Sequence, residues 1–321
     1  MSLLRYMTVD VFTQTRFLGN PLVIIPDSRA LAEADMRAIA SEFNYSEAAF
    51  ILPAADPAND ASIRIFTPDE EIPFAGHPNV GVAFVLGQVG RLFGRQLHAT
   101  VRLEQAAGLV VATILREGGT VVGARVLAPQ VLQIGRYIDP GAIASCASLD
   151  VDDFLLDTHL PIVATVGLPF VLAELNDLET LTKARPSIEH LFLADEVFRS
   201  RRIGLFLYVK EHGNHLRVRA RMFASRYRMA EDPVTGSAAA ALAGLMIARR
   251  PEPDLHTHVW VQQGTEIGRE GTVEVGVRKV AGSVTEISIS GRCVSVMEGI
   301  IHLCLFFACS FEAVTASASC L

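Results

Sequence analysis

Two stretches of the chain are apolar on every side rather than on one face. Residues 80–86 and 236–247 are built almost entirely of Val, Ala, Gly, Leu and other apolar residues. A helix of this composition has to be enclosed by other structure. Runs of apolar and β-branched residues between turn residues predict short strands: 7–11, 22–25, 49–52, 62–67, 101–103 and 110–115 in the first half, and 163–166, 170–174, 205–209 and 216–223 in the second. Together these patterns predict a sheet wrapped around one central helix in each half.

The same order of features occurs twice along the chain. Each half contains Arg-x-Phe, a polar turn, the motif x-Pro-x-x-Gly and an apolar run; the two motifs begin at Arg64 and His77 in the first half, and at Arg221 and Asp232 in the second. Self-similarity of this kind indicates an internal repeat, with chance similarity as the alternative. We therefore predict two pseudo-equivalent lobes with a boundary within residues 118–160.

Each central helix is predicted to start at the proline of its motif, because proline is favoured at the first helical position. His77 and Asp232 are then the N-cap candidates. Aspartate is a good N-cap and histidine is a poor one, so Asp232 is either a cap or a catalytic group, whereas His77 points to function. Two helix N-termini facing each other would bind a substrate carboxylate. Glycine at positions 76, 81 and 236 would allow close approach of the substrate.

Glu47 lies where a helix-like stretch gives way to an apolar strand. At such a junction it is either the exposed end of a turn or a carboxylate drawn into an apolar cleft, and the local sequence does not decide between the two. Burial would raise its pKa towards the range in which one side chain both donates and accepts a proton near neutrality.

Composition narrows the class of partner. The chain carries 28 Lys+Arg against 35 Asp+Glu, for a net charge of −7 and a pI near 5.7. It has no clustered positive charge of the kind that nucleic acid or anionic lipid requires, so a small-molecule substrate is expected. The N-terminus reads directly into a strand rather than a signal peptide, which predicts a cytoplasmic protein. The apolar run 300–311 is too short for a membrane span, and the five cysteines are expected to be reduced.

Familiar catalytic motifs are missing. Gly76-x-x-x-x-Gly81 is followed by Val82 rather than Lys, so it lacks the cation of a P-loop, and neither G-x-S-x-G nor H-E-x-x-H occurs. His256 and His258 lie two residues apart with no cysteine nearby. We interpret them as an exposed turn rather than a metal pair.

Several motifs along the chain nevertheless form a known series: residues 17–21 (Phe-Leu-Gly-Asn-Pro), 44–47 (Asn-Tyr-Ser-Glu), 64–68 (Arg-Ile-Phe-Thr-Pro), 73–78 (Pro-Phe-Ala-Gly-His-Pro), 221–223 (Arg-Met-Phe), 231–238 (Glu-Asp-Pro-Val-Thr-Gly-Ser-Ala), 263–269 (Gln-Gly-Thr-Glu-Ile-Gly-Arg) and 290–292 (Ser-Gly-Arg). In these motifs the chain resembles the PhzF family of phenazine-biosynthesis isomerases, whose members look like diaminopimelate epimerase in fold.

The resemblance implies an α+β fold of two pseudo-symmetric lobes, each a mixed β-sheet wrapped around a central apolar helix. The first lobe would span 1–125 and be rejoined by the final strand, 285–303, and the second would span 126–284. A homodimer is usual in the family. Two features depart from its pattern: Arg228 stands where glycine is more common, and the tail 304–321 matches nothing expected, so it is assigned no function.

The resemblance also implies roles for individual residues. Glu47 would be the acid/base that moves a proton between substrate carbons, with His77 and Asp232 assisting. The substrate would be held by residues of both halves: Asn20, Gly76, Gly236 and Ser237. No metal and no organic cofactor are expected. The related epimerases use two cysteines as paired bases; the equivalent places here look like His77 and Asp232, which excludes a two-thiol mechanism.

Three functional hypotheses follow. The leading one is an isomerase that removes a proton next to an unsaturated or carbonyl carbon of a small substrate bearing a carboxylate or amino group, and returns it elsewhere. The second is an amino-acid epimerase acting at one carbon. The third is a ligand-binding protein that keeps the scaffold without turnover. Family membership does not identify the substrate, because specificity depends on pocket side chains outside the motifs.

Overall fold

The computed structural model describes residues 2–198, 204–226 and 229–303. Six helices are present in this part of the chain: α1 Glu33–Phe43, α2 Gly76–Val89, α3 Pro140–Ala147, α4 Leu178–Lys183, α5 Ile188–Phe198 and α6 Gly236–Ala248. The strands are β1 Ser2–Val11, β2 Asn20–Ile25, β3 Glu47–Leu52, β4 Ala61–Phe66, β5 Glu71–Ile72, β6 Arg91–Leu92, β7 Arg95–Gln96, β8 Thr100–Gln105, β9 Gly108–Glu117, β10 Thr120–Leu127, β11 Gln133–Tyr137, β12 Ile162–Thr165, β13 Pro169–Glu174, β14 Gly204–Glu211, β15 Asn214–Arg226, β16 Met229–Asp232, β17 Leu255–Gln263, β18 Gly271–Val280 and β19 Ser283–Leu303. The predicted strands are confirmed to within a few residues. Arg228 and the tail 304–321 lie outside the described residues.

Eight strands pair in a closed ring. The order is β1, β2, β3, β4, β8, β9, β10 and β19, and β19 pairs back onto β1. The other long strands form a second row that starts at β19 and continues through β18, β17, β15, β14, β13, β12 and β11. Both rows mix parallel and antiparallel pairs, so the fold is a mixed sheet with few helices. β19 is shared by the two rows.

The two apolar helices are enclosed, as predicted. α2 packs against β1, β2, β3, β9, β10 and β19, and α6 packs against β12, β13, β18 and β19. Gly76 to Gly87 of α2 and Gly236 to Leu245 of α6 are buried without interruption. Because such helices leave no polar face for water, strands have to cover them on all sides. The two helices also contact each other.

The remaining helices cover other faces of the sheet. α1 packs on β3 and β4, α4 packs on β14 and β15, and α5 packs on β15 and α3. α1 ends at Phe43 and β3 begins at Glu47, so the predicted helix-to-strand junction is confirmed. Among the described residues, none of the helices is both long enough and apolar enough to cross a membrane.

Candidate active site

The central helices start at different residues than the sequence pattern predicts. α2 begins at Gly76 with Ala75 as its N-cap, and α6 begins at Gly236 with Thr235 as its N-cap. The prediction that His77 and Asp232 are N-caps is therefore wrong. His77 is the second residue of α2, and Asp232 is the last residue of β16.

The strand register explains this error and gives a different alignment of the two halves. Phe66 of β4 pairs with Glu71 of β5, and Phe223 of β15 pairs with Glu231 of β16. Each glutamate opens the same run, Glu-x-Pro-x-x-Gly, which ends on the first residue of a central helix. The predicted match through Pro78 is thus out of phase, because the equivalent proline of the first half is residue 73.

The two helix starts meet. A Cβ placed on Gly76 would lie 3.0 Å from the backbone nitrogen of Ser237 and 3.2 Å from the carbonyl carbon of Gly236. No side chain of the described residues caps either helix. The first N–H groups of an α-helix have no partner within the helix, so both starts direct N–H donors and positive dipole ends to one place. This geometry suits a carboxylate.

Glu47 and His77 contact each other at this place. Oε2 of Glu47 lies 3.3 Å from Nδ1 of His77, and the two side chains are 12% and 4% exposed. Burial lowers the pKa of His77 to about 4, although the carboxylate of Asp232 opposes the shift. The imidazole is therefore neutral at pH 7. Its Nε2 atom has no hydrogen-bond partner among the described residues, and a buried polar atom of this kind calls for a ligand or water.

Asp232 is held on both carboxyl oxygens. Nδ2 of Asn20 donates to Oδ1 at 3.0 Å, and the hydroxyl of Thr235 donates to Oδ2. Burial raises the pKa of Asp232, and the neighbouring charge of Glu47 adds to the rise. His77 and the two hydrogen bonds act in the opposite direction. The aspartate is thus a fixed group whose charge is coupled to both Glu47 and His77.

Asn20 lies behind Asp232 rather than against the cavity. It is fully buried, its second amide hydrogen goes to the carbonyl of Val234 at 2.8 Å, and its own carbonyl accepts the hydroxyl of Ser46 at 2.7 Å. The polar groups of its side chain are engaged within the protein, and substrate binding by Asn20 stays a prediction.

Gln263 is a further residue of this network, and the sequence does not predict its role. Its amide donates to the carbonyl of Asp232 at 2.7 Å and to the hydroxyl of Thr235 at 3.2 Å, and its carbonyl accepts the backbone N–H of Thr235 at 3.0 Å. Gln263 is 1% exposed at the end of β17. The sequence does show a polar residue at the end of a strand with alternating apolar positions. The partners of Gln263, however, can be identified only once the pairing of β17 with β15 is known.

A cavity of about 220 Å³ opens where these groups meet. Its titratable lining residues are Glu47, His77, Asp232, Glu70 and Glu71, and Gly76, Gly236 and Ser237 line it at the helix starts. Its other walls are largely apolar and include Ile72, Leu168, Phe170 and Met222. Of the seven predicted site residues, six line this one cavity; the exception is Asn20. A small ligand fits such a site, in which a few polar groups converge between apolar walls.

The carboxylate of Glu47 has no counterpart in the second half. The residue after Glu47 pairs with Phe66, and the residue after Gly204 pairs with Phe223. Gly204 therefore occupies the place equivalent to Glu47, and it also lines the cavity. Of these two equivalent positions, one therefore carries a carboxylate and the other carries no side chain.

His256 and His258 do not form an exposed turn, contrary to the prediction, because both lie within β17. His258 contacts Glu274 of β18, with 2.7 Å between Nδ1 and Oε1. In the described part of the chain, no three His, Cys, Asp or Glu side chains are grouped closely enough to hold a metal ion. The described cysteines, Cys146 and Cys293, are buried and unbridged.

Comparison with known proteins places this site in a family. The profile described as phenazine biosynthesis-like protein matches residues 9–299. The chain is 34% identical over 298 residues to an uncharacterized isomerase of Mesorhizobium japonicum, covering 92% of this chain and 97% of the relative. It is 32% identical over 305 residues to trans-2,3-dihydro-3-hydroxyanthranilate isomerase of Pseudomonas chlororaphis, covering 93% and 99%.

Solved structures agree. A phenazine biosynthesis protein of the PhzF family from Bacillus anthracis superposes with a TM-score of 0.80 at 25% identity, covering 94% of this chain and all of that one. A hydroxyproline epimerase from Agrobacterium vitis shares the fold, with a TM-score of 0.64 at 15% identity, covering 94% of this chain and 91% of that one. The curated relatives are named isomerases, and the chain is an isomerase. The chain belongs to the family of phenazine biosynthesis-like proteins.

Proposed function

We propose that the protein moves a proton between carbons of a small carboxylate-bearing substrate, with Glu47 as the acid/base. The observation that carries this proposal is the meeting of Glu47, His77 and Asp232 with two helix N-termini in one buried cavity. The substrate carboxylate binds the N–H groups at Gly76, Gly236 and Ser237. This binding holds a C–H bond against Glu47.

The proposed reaction balances without a cofactor. The Glu47 carboxylate takes a proton from a carbon next to an unsaturated or carbonyl carbon, so that the C–H bond breaks and an O–H bond forms. The double bonds of the substrate shift, and Glu47 returns the proton to another carbon. General acid–base catalysis by a positioned side chain accelerates such steps by about 10²–10⁴-fold. The neutral imidazole of His77 and the carboxyl group of Asp232 hydrogen-bond to the substrate as the charge of the substrate redistributes.

Isomerisation is favoured over epimerisation at one carbon because Glu47 lacks an equivalent carboxylate at the matching strand position of the second half, although Asp232, Glu70 and Glu71 also line the cavity. Inversion at one carbon needs a second acid/base on the opposite face of the substrate. Gly204 stands in the place equivalent to Glu47. The N-cap positions carry Ala75 and Thr235, neither of which is an acid/base near neutral pH. The thiols of Cys146 and Cys293 do not line the cavity.

We also propose that the protein has two lobes. One lobe is the ring around α2, the other is the second row around α6, and the cavity lies where they meet. The repeated Glu-x-Pro-x-x-Gly run supports this division. We further propose that the enzyme is a cytoplasmic homodimer, as expected from the sequence and the family resemblance. Light scattering of the purified protein and fractionation of cells test these two points.

The decisive test is proton exchange. We expect the wild-type protein to incorporate solvent deuterium at carbon when incubated in D₂O with trans-2,3-dihydro-3-hydroxyanthranilate, the substrate named for one relative, or with a panel of small cyclic amino acids. NMR of the recovered compound locates the label. Glu47→Gln should abolish exchange, since the amide cannot accept the proton. Glu42→Gln, an exposed change on α1, is the matched control.

Retained exchange in Glu47→Gln would remove Glu47 from the mechanism. Binding of these compounds to the wild type without any exchange would instead support the non-catalytic alternative. Inversion at one carbon without migration of a double bond would make the protein an epimerase.

A further inference from the structure

Arg221 is a buried hub next to the active site. It is 3% exposed, and its Nε and one terminal nitrogen donate to the two carboxyl oxygens of Glu231 at 2.8 and 2.7 Å. The other terminal nitrogen donates to the carbonyls of Ala184 at 2.7 Å and Leu181 at 3.1 Å. Its guanidinium carbon lies 4.9 Å from the ring centre of Phe223. One side chain thus joins β15, β16 and the C-terminal end of α4.

Glu231, the partner of Arg221, is the neighbour of Asp232 in the chain. Glu231 immediately precedes Asp232 on β16, a strand of four residues whose described pairing is with β15 alone. The register of that pairing shifts between Phe223 and Arg226. Such a short edge strand has few backbone hydrogen bonds to fix it. The bidentate ion pair adds a constraint on the backbone of β16 to the bonds that Asn20, Thr235 and Gln263 make to Asp232, because the planar guanidinium fixes both distance and orientation of a carboxylate.

The same device occurs at the equivalent place of the first half. Arg64 donates to both carboxyl oxygens of Glu71, at 2.7 and 2.6 Å, lies 5.1 Å from the ring centre of Phe66, and reaches a helix through Glu33 of α1. That pair is more exposed, at 28% and 29% against 3% and 9% for Arg221 and Glu231. The more enclosed version is the one that adjoins a candidate catalytic group.

Stability alone does not account for the buried pair. Replacing a buried ion pair by apolar residues of similar volume is often neutral or stabilising, because desolvation of the two charges offsets their attraction. A bidentate pair with further bonds to helix carbonyls does, however, hold a backbone segment in one position. That is the property Asp232 needs.

We propose that Arg221 is a positioning residue that fixes Asp232 in the cavity by clamping Glu231 to the end of α4. This inference rests on the proposed function for its catalytic consequence. The placement of Asp232 against His77 can be measured without any substrate.

The test combines Asp232→Asn with the clamp double variant, Arg221→Met with Glu231→Leu, which keeps the volume and leaves no buried charge unpaired. If the clamp acts through Asp232, Asp232→Asn lowers kcat for proton exchange on the order of 10²-fold in the wild type but less than about tenfold in the double variant. KM changes little, because the clamp does not touch substrate. The matched control is the exposed bidentate pair of Asp27 and Arg29, changed to Asn and Met, in which Asp232→Asn keeps its full effect.

A second readout needs no turnover. The carboxylate of Asp232 raises the pKa of His77, so Asp232→Asn should lower the midpoint of the His77 imidazole NMR titration. The drop should be less than half as large in the clamp double variant. Equal drops in both backgrounds, or equal kcat losses, would overturn the inference. If the wild type exchanges no proton, the proposed function fails while the titration still decides the positioning role.

Discussion

His77 is a residue whose burial determines both its chemistry and its effect on stability. Its imidazole is almost enclosed, and burial lowers its pKa from 6.5 to about 4. The histidine is therefore a neutral hydrogen-bonding group at physiological pH rather than a cation. Asp232 shows the opposite direction, since burial and Glu47 raise its pKa. Burial therefore shifts the pKa of each group in the direction that disfavours its charged form.

This burial predicts acid sensitivity from His77. Between pH 6.5 and about 4 the unfolded chain binds a proton at His77 that the folded chain does not, so the free energy of unfolding falls as the pH falls. The full difference amounts to roughly 3 kcal/mol. Urea unfolding of the wild type and His77→Asn at pH 7.0 and 4.5 checks it. The wild type should lose more stability than the variant, and parallel losses would contradict the assigned burial.

Single residues also show how far the sequence could be followed. Glu47, His77 and Asp232 were selected because each is a polar group beside an apolar segment, and the structure brings all three together. Asn20 is predicted to hold the substrate, whereas its amide donates to Asp232 and Val234, which are distant in sequence and could not be identified from local composition. The role of Gln263 could not be predicted for the same reason, because β17 is held at the site by pairing with β15, a strand distant in sequence.

At the scale of elements, the sequence determined which helices are enclosed but not where they begin. Proline is followed by glycine three positions later at both Pro73 and Pro78, so the repeat motif has two possible phases in the first half. Local preference of proline for the first helical position favoured the later one. The pairing of Phe66 with Glu71 selects the earlier one, and pairing between strands cannot be deduced from local composition.

The contact of the two helix starts predicts a strict limit on residue size at Gly76. Alanine is the better helix former, but here its Cβ would meet the backbone of Gly236 and Ser237 at about 3 Å, and backbone cannot yield as a flexible side chain can. We expect Gly76→Ala to separate the helix starts and to weaken binding of a substrate carboxylate by at least about tenfold, a loss of roughly 1.4 kcal/mol. Calorimetric titration with 3-hydroxyanthranilate, an aromatic carboxylate related to the substrate named for one relative, measures the change.

The control for this substitution is Gly244→Ala in α6. The added methyl group there meets only the ends of the Ile287 and Leu132 side chains, so it should alter stability without changing ligand affinity. Equal affinity of Gly76→Ala and the wild type would mean that the two helix starts do not bind the carboxylate together.

At the scale of the whole molecule, β19 belongs both to the ring of strands around α2 and to the row of strands that covers α6. Its final part pairs with β1, and its first part pairs with β10 on one side and β18 on the other. The ring around α2 cannot close without it, and the row covering α6 would lose its first strand. The C-terminal strand of the described chain therefore couples the two sets of strands that form the cavity.

This coupling predicts that the protein unfolds in one step despite its internal repeat. Trp260 in β17 is the single tryptophan of the chain and reports on the second row, whereas amide exchange of α2 reports on the ring. Because β19 completes both, urea unfolding followed by Trp260 fluorescence and by pulsed hydrogen exchange of α2 should give coincident midpoints. Met297→Pro provides a perturbation within β19 at a backbone N–H that bonds to Thr8. It should shift both midpoints together, whereas a shift in the ring signal alone would show that the two sets unfold independently.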